Sequence, residues 1–345
     1  TALGWVVADQ LVVIRAVRYG IAVKEHMSPA NALFIAEPCL ISSHVTQAWL
    51  DQGNRIAAFW TVSGRFGSPS LNDRLSALAS GAPTLAAIAR RHAIPVRRVP
   101  RLSEIADLEH EIERTGADTL LTIMTPVLIP ASILDVFGRR AVNVHPALLP
   151  KYAGRRPHHT MLVDGKADEY GGVTFHQLTP KIDAGPIIAQ RARPFSETPH
   201  FAAWDFAFAR AAAEITRKEL PAYLEGTRDA VPQDPSERHY RKTYWNELTI
   251  TKERSLAEAR HLLDCAPGMP PRWARDKSDI KNHSVHSLAA VLGPPTGQAP
   301  VLGALTIEAD IADARICMRR GRLARATYGR PFLPIVAYRL SRPKQ

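Results

Sequence analysis

Cysteine is scarce in this sequence, and no cysteine has the spacing of a metal or redox centre. The 345 residues contain three, Cys39, Cys265 and Cys317, and no CxxC pair. An odd number at wide spacing argues against a disulfide framework and against a zinc knuckle. We therefore expect a cytoplasmic protein that works in a reducing environment and has no structural metal.

A run of residues suited to span a membrane is also missing. The apolar opening, residues 5–23, contains Asp9, Arg15 and Arg18, and such charges are costly inside a lipid-embedded helix. The opening also lacks the basic-then-apolar order of a secretory signal. We expect no membrane partner.

Three signatures of common site chemistries are absent. The segment after the first predicted strand, "EPCLISS", contains no GxGxxG, which argues against a bound NAD. No GxSxG occurs, which disfavours a serine hydrolase. We predict no metal in the site either, because no HxH or HxxxH spacing relates His145, His158, His159 and His176.

Positive charge is in excess, but it does not form blocks. Lysine and arginine number 44 against 33 acidic residues, a formal net charge of +11. The basic residues are scattered, with short pairs such as Arg97–Arg98 and Arg319–Arg320. This pattern favours a small anionic ligand over nucleic acid, which stays open as an alternative partner.

Apolar strand patterns alternate with helix patterns from Asn31 onward. The strand patterns are "NALFIAE", "RIAAFWTV", "DTLLTIM" and "RAVNVH". One of the intervening helices is predicted to start at Ser103 as N-cap and to close on Gly116. The alternation predicts an α/β fold with a doubly wound, Rossmann-like, mostly parallel sheet. Ligands of such sheets bind beyond the carboxyl ends of the strands.

Chain length and composition predict four segments. A chain of 345 residues is long for a single core. After a predicted helix over residues 200–225 comes a linker rich in Pro, Asp and Gly, and later "ALTIEAD" and "ARICMRRGRLARATYG" indicate strands. The predicted segments are an N-terminal extension (1–30), a main domain (31–225), the linker (226–239) and a smaller, β-rich C-terminal accessory domain (240–345).

The stretch "AVNVHPALLPKYAGRRPHH" places polar residues at the end of a predicted strand. Alternation projects Asn143 and His145 to one side, and Pro146 ends the strand. Taken alone, the pair indicates either an active site or a buried histidine beside an asparagine cap.

Two motifs connect this stretch to a known family. "NVHPALLPKYAG" resembles the Asn-x-His-Pro-Ser-Leu-Leu-Pro signature of the formyltransferases that use 10-formyltetrahydrofolate. "GGVTFHQLTPKIDAGPIIAQ" resembles their second signature, a Gly-x-Thr strand followed by an Asp-x-Gly turn. The resemblance covers roughly residues 31–225 and makes that segment the catalytic domain.

The resemblance implies a mechanism and a set of site residues. A formyl group passes from the folate to an amine through a tetrahedral oxyanion, without a metal. The implied catalytic residues are Asn143, His145 and Asp183. The implied folate-binding residues are Ile123, Met124, Thr125, Val127 and Leu128.

The acceptor amine is less defined, because this sequence departs from the family's phosphate-binding loops. The segment after the second strand carries only Arg65 and Arg74, and "AEPCLISS" lacks a glycine-rich loop. We expect a small metabolite: an amino sugar, free or nucleotide-linked, or an amino acid-like amine. The alternatives are a methionyl-tRNA formyltransferase, and a formyltetrahydrofolate hydrolase or non-catalytic relative. A homodimer is compatible with the sequence.

Overall fold

The structure is a computed structural model, and it describes most of the chain. The described residues are 29–62, 64, 66–99, 102, 105, 107–125, 127–241, 245–264, 271–275, 283–320 and 332–341. The predicted N-terminal extension lies outside them up to residue 28.

The segment predicted as the main domain, residues 31–225, contains a sheet of seven strands. These are β1 (Asn31–Ala36), β2 (Arg55–Thr61), β3 (Val96–Arg98), β4 (Thr119–Ile123), β5 (Ala141–His145), β6 (Gly172–Gln177) and β7 (Ile187–Ala192). Their order in the sheet is β3-β2-β1-β4-β5-β6-β7. The pairs from β3 to β5 are parallel, and the pairs β5–β6 and β6–β7 are antiparallel. The predicted doubly wound, mostly parallel sheet is confirmed.

Helices cover both faces of this sheet. They are α1 (Leu40–Asp51), α2 (Leu71–Ser80), α3 (Leu85–Arg91), α4 (Leu108–Glu113), α5 (Ala131–Phe137), α6 (Pro157–Val163), α7 (Ala167–Tyr170), α8 (Phe201–Lys218) and α9 (Leu220–Leu224). In β1, Ile35 packs in one core cluster with Ile133 of α5, while the ring of Phe34 meets Trp49 of α1. Burial on both faces explains why the central strands are almost continuously apolar.

Two predicted helices differ from the observed ones. The helix expected to start at Ser103 is described from Leu108, and Ser103 itself lies outside the described residues. It ends at Glu113, ahead of Gly116. The helix expected over residues 200–225 is two helices, α8 and α9, because Pro221 has no N–H to donate to a continuing helix.

A second, smaller sheet follows. Its strands are β8 (Thr249–Ile250), β9 (Arg272–Trp273), β10 (His283–Gly293), β11 (Val301–Leu302), β12 (Thr306–Asp310) and β13 (Arg315–Arg320), in the order β11-β12-β13-β10-β9-β8. Helix α10 (Leu256–Asp264) packs on it through Leu262 and Leu263. The expected β-rich module is therefore present, although the residues of its strand pattern after Arg320 lie outside the described part.

The last described helix, α11 (Phe332–Ser341), returns to the first sheet's helices. Ile335 is fully buried, Tyr338 meets the ring of Phe206 of α8, and Arg339 Nη1 donates to Ala79 O of α2 at 3.2 Å. Among the described helices, none has the length and apolarity needed to cross a membrane.

Candidate active site

Strand β5 places Asn143 and His145 on one face of the sheet, at its carboxyl end. Asn143 lies opposite Thr122 of β4 on one side and His176 of β6 on the other. The sheet order reverses between β1 and β4, so the crevice of a doubly wound fold opens next to these strand ends. The predicted catalytic residues of β5 therefore lie at the edge where such folds bind ligands.

The turn between β6 and β7 brings Asp183 to the same place. Its Oδ2 lies 3.6 Å from His145 Nδ1. Its Oδ1 lies 3.5 Å from Asn143 Nδ2 and 3.6 Å from His176 Nε2. The backbone N–H of Gly154 donates to Oδ2 at 2.8 Å. All three sequence-predicted catalytic residues thus converge around one carboxylate.

His145 has an acceptor at each ring nitrogen. Its Nε2 lies 3.0 Å from the carbonyl oxygen of Tyr152, and its Nδ1 faces Asp183. A neutral imidazole carries one proton and can satisfy only one of these acceptors, whereas an imidazolium satisfies both. The ring is nevertheless buried, with 4% of its surface exposed. Hydrogen bonding and burial therefore act on its protonation in opposite directions.

The pKa values of His145 and Asp183 reflect both burial and their mutual attraction. Burial lowers the pKa of His145 below its ordinary value, although the Asp183 carboxylate acts to raise it. Burial alone would raise the pKa of Asp183, but His145, His176 and the Gly154 N–H outweigh it and hold that pKa far below its usual range. Asp183 is therefore ionised in the folded protein at neutral pH.

Asn143 is held in one orientation. Thr122 Oγ1 donates to Asn143 Oδ1 at 2.7 Å, and Asn143 Nδ2 lies 3.0 Å from His176 Nε2. His176 Nδ1 lies 2.9 Å from Gln177 O, so contacts at both ring nitrogens hold this ring beside Asn143 and Asp183. Sequence reasoning considered His176 only as a metal ligand. The signal it overlooked is that His176 sits on the strand adjacent to Asn143 and faces the same side.

The predicted folate-binding residues form the loop after β4. Ile123 is buried at the end of the strand, and Met124 has a left-handed backbone with φ of +55°. Leu128 is 71% exposed. Since β4 pairs with β5, this loop starts level with Asn143. Its role in folate binding remains a prediction.

His158 and His159 pack against the aromatic side chains of α8. His158 is buried, stacks on Phe208 at 4.8 Å between centroids and lies 3.8 Å from the Asp205 carboxylate. Burial lowers the pKa of His158 to about 3 and raises that of Asp205 to about 6. Within the described part of the chain, no group of three His, Cys, Asp or Glu side chains is arranged to hold a metal ion.

Comparison with known proteins finds relatives of the first domain. Residues 45–200 match the family model described as formyl transferase. The match covers less than half of the 345 residues and shows what this part of the chain is similar to. The methionyl-tRNA formyltransferase of Staphylococcus epidermidis is 33% identical over 152 residues, which are 44% of this chain and 48% of that protein. The chain thus spans about half the length of the curated formyltransferases that it matches.

Solved structures share the fold over a longer stretch. An N-formyltransferase from Helicobacter canadensis has a TM-score of 0.54 at 14% identity, and the match covers 86% of this chain and 100% of that one. A sugar N-formyltransferase from Shewanella sp. FDAARGOS_354 has a TM-score of 0.54 at 13% identity, covering 74% and 96%. At these identities the likeness concerns the fold.

We predict that Asp183→Asn lowers the pKa of His145 further, because the substitution removes the carboxylate that favours the imidazolium. Ring-nitrogen NMR of histidine-labelled protein over pH 4 to 8 would measure it, with His145→Gln assigning the signal. An unchanged His145 titration would contradict the geometry described above.

A second prediction concerns Asp205, whose pKa is raised in the folded state. Folding then disfavours the charged form of Asp205. This lowers the free energy of unfolding by its full amount above about pH 6, and the effect disappears below the unfolded pKa near 3.8. Asp205→Asn should stabilise the protein at pH 8, by up to about 3 kcal/mol, and have little effect at pH 3.5. Urea unfolding at both pH values measures this. Asp135→Asn, on the exposed side of α5, is the control and should show no such difference between the two pH values.

Proposed function

We propose that this protein is an N-formyltransferase that moves the formyl group of 10-formyltetrahydrofolate to a primary amine of a small metabolite. The observation that carries the proposal is the convergence of Asn143, His145 and Asp183 at the carboxyl edge of the sheet. The match of residues 45–200 to the formyl transferase family supports the same chemistry.

The loop after β4 has the character that a folate ring requires. A pterin is flat, with hydrogen-bonding edges and apolar faces, and a loop that presents backbone groups between exposed apolar side chains suits both. The residues that would hold it are Ile123, Met124, Thr125, Val127 and Leu128. The Helicobacter canadensis structure was determined with folinic acid, which supports a folate in this fold.

The residues around Asp183 suit formyl transfer. When bound, 10-formyltetrahydrofolate supplies a formyl carbon that carries an oxyanion as the acceptor amine adds to it. Asn143 Nδ2 is a side-chain donor for that oxyanion. Burial lowers the pKa of His145 in the resting protein, but the negative charge that develops beside the ring favours the imidazolium, which then stabilises the oxyanion. Asp183 favours the protonated form of His145 and relays the proton that the amine loses, directly or through water. The bond from the formyl carbon to the folate nitrogen would then break, and that nitrogen would take up a proton as tetrahydrofolate leaves.

For the acceptor, we propose an amino sugar, free or nucleotide-linked, with an amino acid-like amine as the other small-molecule candidate. The support is the extent of the structural likeness: the Helicobacter canadensis enzyme, determined with dTDP-3-aminofucose, is matched along its full length. The excess positive charge suits a phosphorylated acceptor.

A methionyl-tRNA acceptor is the second candidate, because the Staphylococcus epidermidis enzyme is the relative with 33% identity. Binding of tRNA would then rely on arginines of the C-terminal module. Arg319 and Arg320 are the described members of that set, and Arg322 and Arg325 lie outside the described residues. A formyltetrahydrofolate hydrolase would use the same folate with water in place of the amine.

We expect Asn143→Ala to slow formyl transfer about 10²–10³-fold, since it removes one oxyanion donor. His145→Ala and Asp183→Ala should abolish transfer, while folate binding measured by calorimetry persists. The assay mixes protein and 10-formyltetrahydrofolate with a panel of amines and follows tetrahydrofolate and formylated product by mass spectrometry. His92→Ala, at an exposed position, is the control. Wild-type turnover by the His145 variant would refute the mechanism, and formate release without an amine would indicate a hydrolase.

The two acceptor classes differ in their response to salt. Binding of tRNA depends on many phosphate contacts, so its affinity should fall steeply and log-linearly with salt concentration, whereas a small amine should respond weakly. We expect reversal of the charges at Arg319, Arg320, Arg322 and Arg325 to leave turnover of a small amine unchanged. Formylation of charged initiator tRNA that is lost in this variant would instead establish the tRNA acceptor.

A further inference from the structure

Two residues that orient the candidate site have unfavourable backbone conformations. Tyr152, whose carbonyl faces His145, has φ of +54°, and Asp183 itself has φ of +48°. Residues other than glycine adopt such left-handed conformations at a cost, and they persist where surrounding contacts hold them.

One segment, residues 231–241, contacts both loops; we call it the strap. On the Asp183 side, the Gln233 side-chain amide donates to Asp183 O at 3.0 Å and to Gly185 O at 2.7 Å. Arg238 Nη2 donates to Ile182 O at 2.7 Å. The strap therefore binds three carbonyls within four residues of the turn that carries the catalytic carboxylate.

On the His145 side, the strap pairs with the backbone of the loop that contains Tyr152. His239 N donates to Pro150 O, Ala153 N donates to His239 O, and Arg241 N donates to Ala153 O, all at 2.9–3.0 Å. A Cβ at Gly154 would lie 3.0 Å from the Tyr240 ring, so strap and loop are in close contact. Gly154 is also the residue whose N–H binds Asp183.

A side-chain network reinforces this second contact. The guanidinium of Arg241 donates to both carboxylate oxygens of Asp164, at 3.2 and 3.0 Å, and to Glu247 at 2.9 Å. The Tyr152 hydroxyl donates to the same Asp164 at 3.2 Å. Arg241 is thus connected through Asp164 to the residue whose carbonyl faces His145.

We propose that the strap positions the catalytic pair: Gln233 fixes the turn of Asp183, and Arg241 with the paired backbone fixes the loop that holds His145. Its catalytic consequence rests on the proposed formyl transfer, but the positioning itself is a property of the resting protein. The segment that composition marks as a linker is, in this proposal, part of the site's framework.

The test compares Gln233→Met, which keeps the size of the side chain and removes its two donors, with Ser236→Ala in the same strap. Among the described residues, the hydrogen bonds of Ser236 go to Asp234, within the strap. Ring-nitrogen NMR of His145 reports its contact with Asp183 without any substrate. In Gln233→Met we expect a lower His145 pKa, because Asp183 is less well placed, and a kcat lower by about 10–100-fold with unchanged folate affinity.

Ser236→Ala should match the wild type in both measurements, and urea unfolding should show that both variants are folded. Arg241→Met tests the contact between the strap and the loop that contains Tyr152, and it should change the Nε2 signal of His145. If the NMR signals of His145 in Gln233→Met and Arg241→Met equal those of Ser236→Ala, the proposal is wrong, whatever the enzyme activity. If the signals change but no variant or wild-type protein transfers formyl groups, the proposed function fails and the positioning role stands.

Discussion

The carboxylate of Asp183, buried between two imidazoles and an amide, is the charge on which the arrangement of the site depends. Removing such a group from water is expensive unless hydrogen bonds and opposite charge replace the lost hydration. Here the Gly154 N–H, the Asn143 amide and the rings of His145 and His176 supply that replacement. Two of these groups are in turn held by others: Asn143 by Thr122, and His145 by the Tyr152 carbonyl.

The doubly wound sheet explains why these groups can meet. Thr122, Asn143 and His176 lie side by side on three adjacent strands, which fixes their mutual distances through backbone hydrogen bonding. β6 runs antiparallel to β5 and ends at Gln177, level with Val142, and the turn that follows places Asp183 beside the side chains of Asn143 and His145. Gly185 in that turn has no alternative residue, since a Cβ would lie 1.8 Å from Gln177 O.

Much of the architecture could be predicted from the sequence, and the residues show why. Strands such as β1 and β4 are buried on both faces and therefore leave an unmistakable apolar run, while Asn143, His145 and Asp183 stand inside two recognisable motifs. The contributions of Tyr152 O and Gly154 N were not predictable, because backbone groups carry no side-chain signature. The five folate-loop residues stay a prediction.

The return of α11 to the first sheet has a consequence for how the chain folds. Helices α2 and α8 are synthesised long before the segment that buries Ile335 and places Arg339 against Ala79. Their shared apolar surface therefore remains solvent-exposed on the ribosome until more than a hundred further residues after α8 have emerged. The α/β part of the molecule therefore cannot reach its final packing in strict N-to-C order. A nascent chain halted within the second sheet would expose the apolar surface of α2 and α8 to chaperones or to other chains.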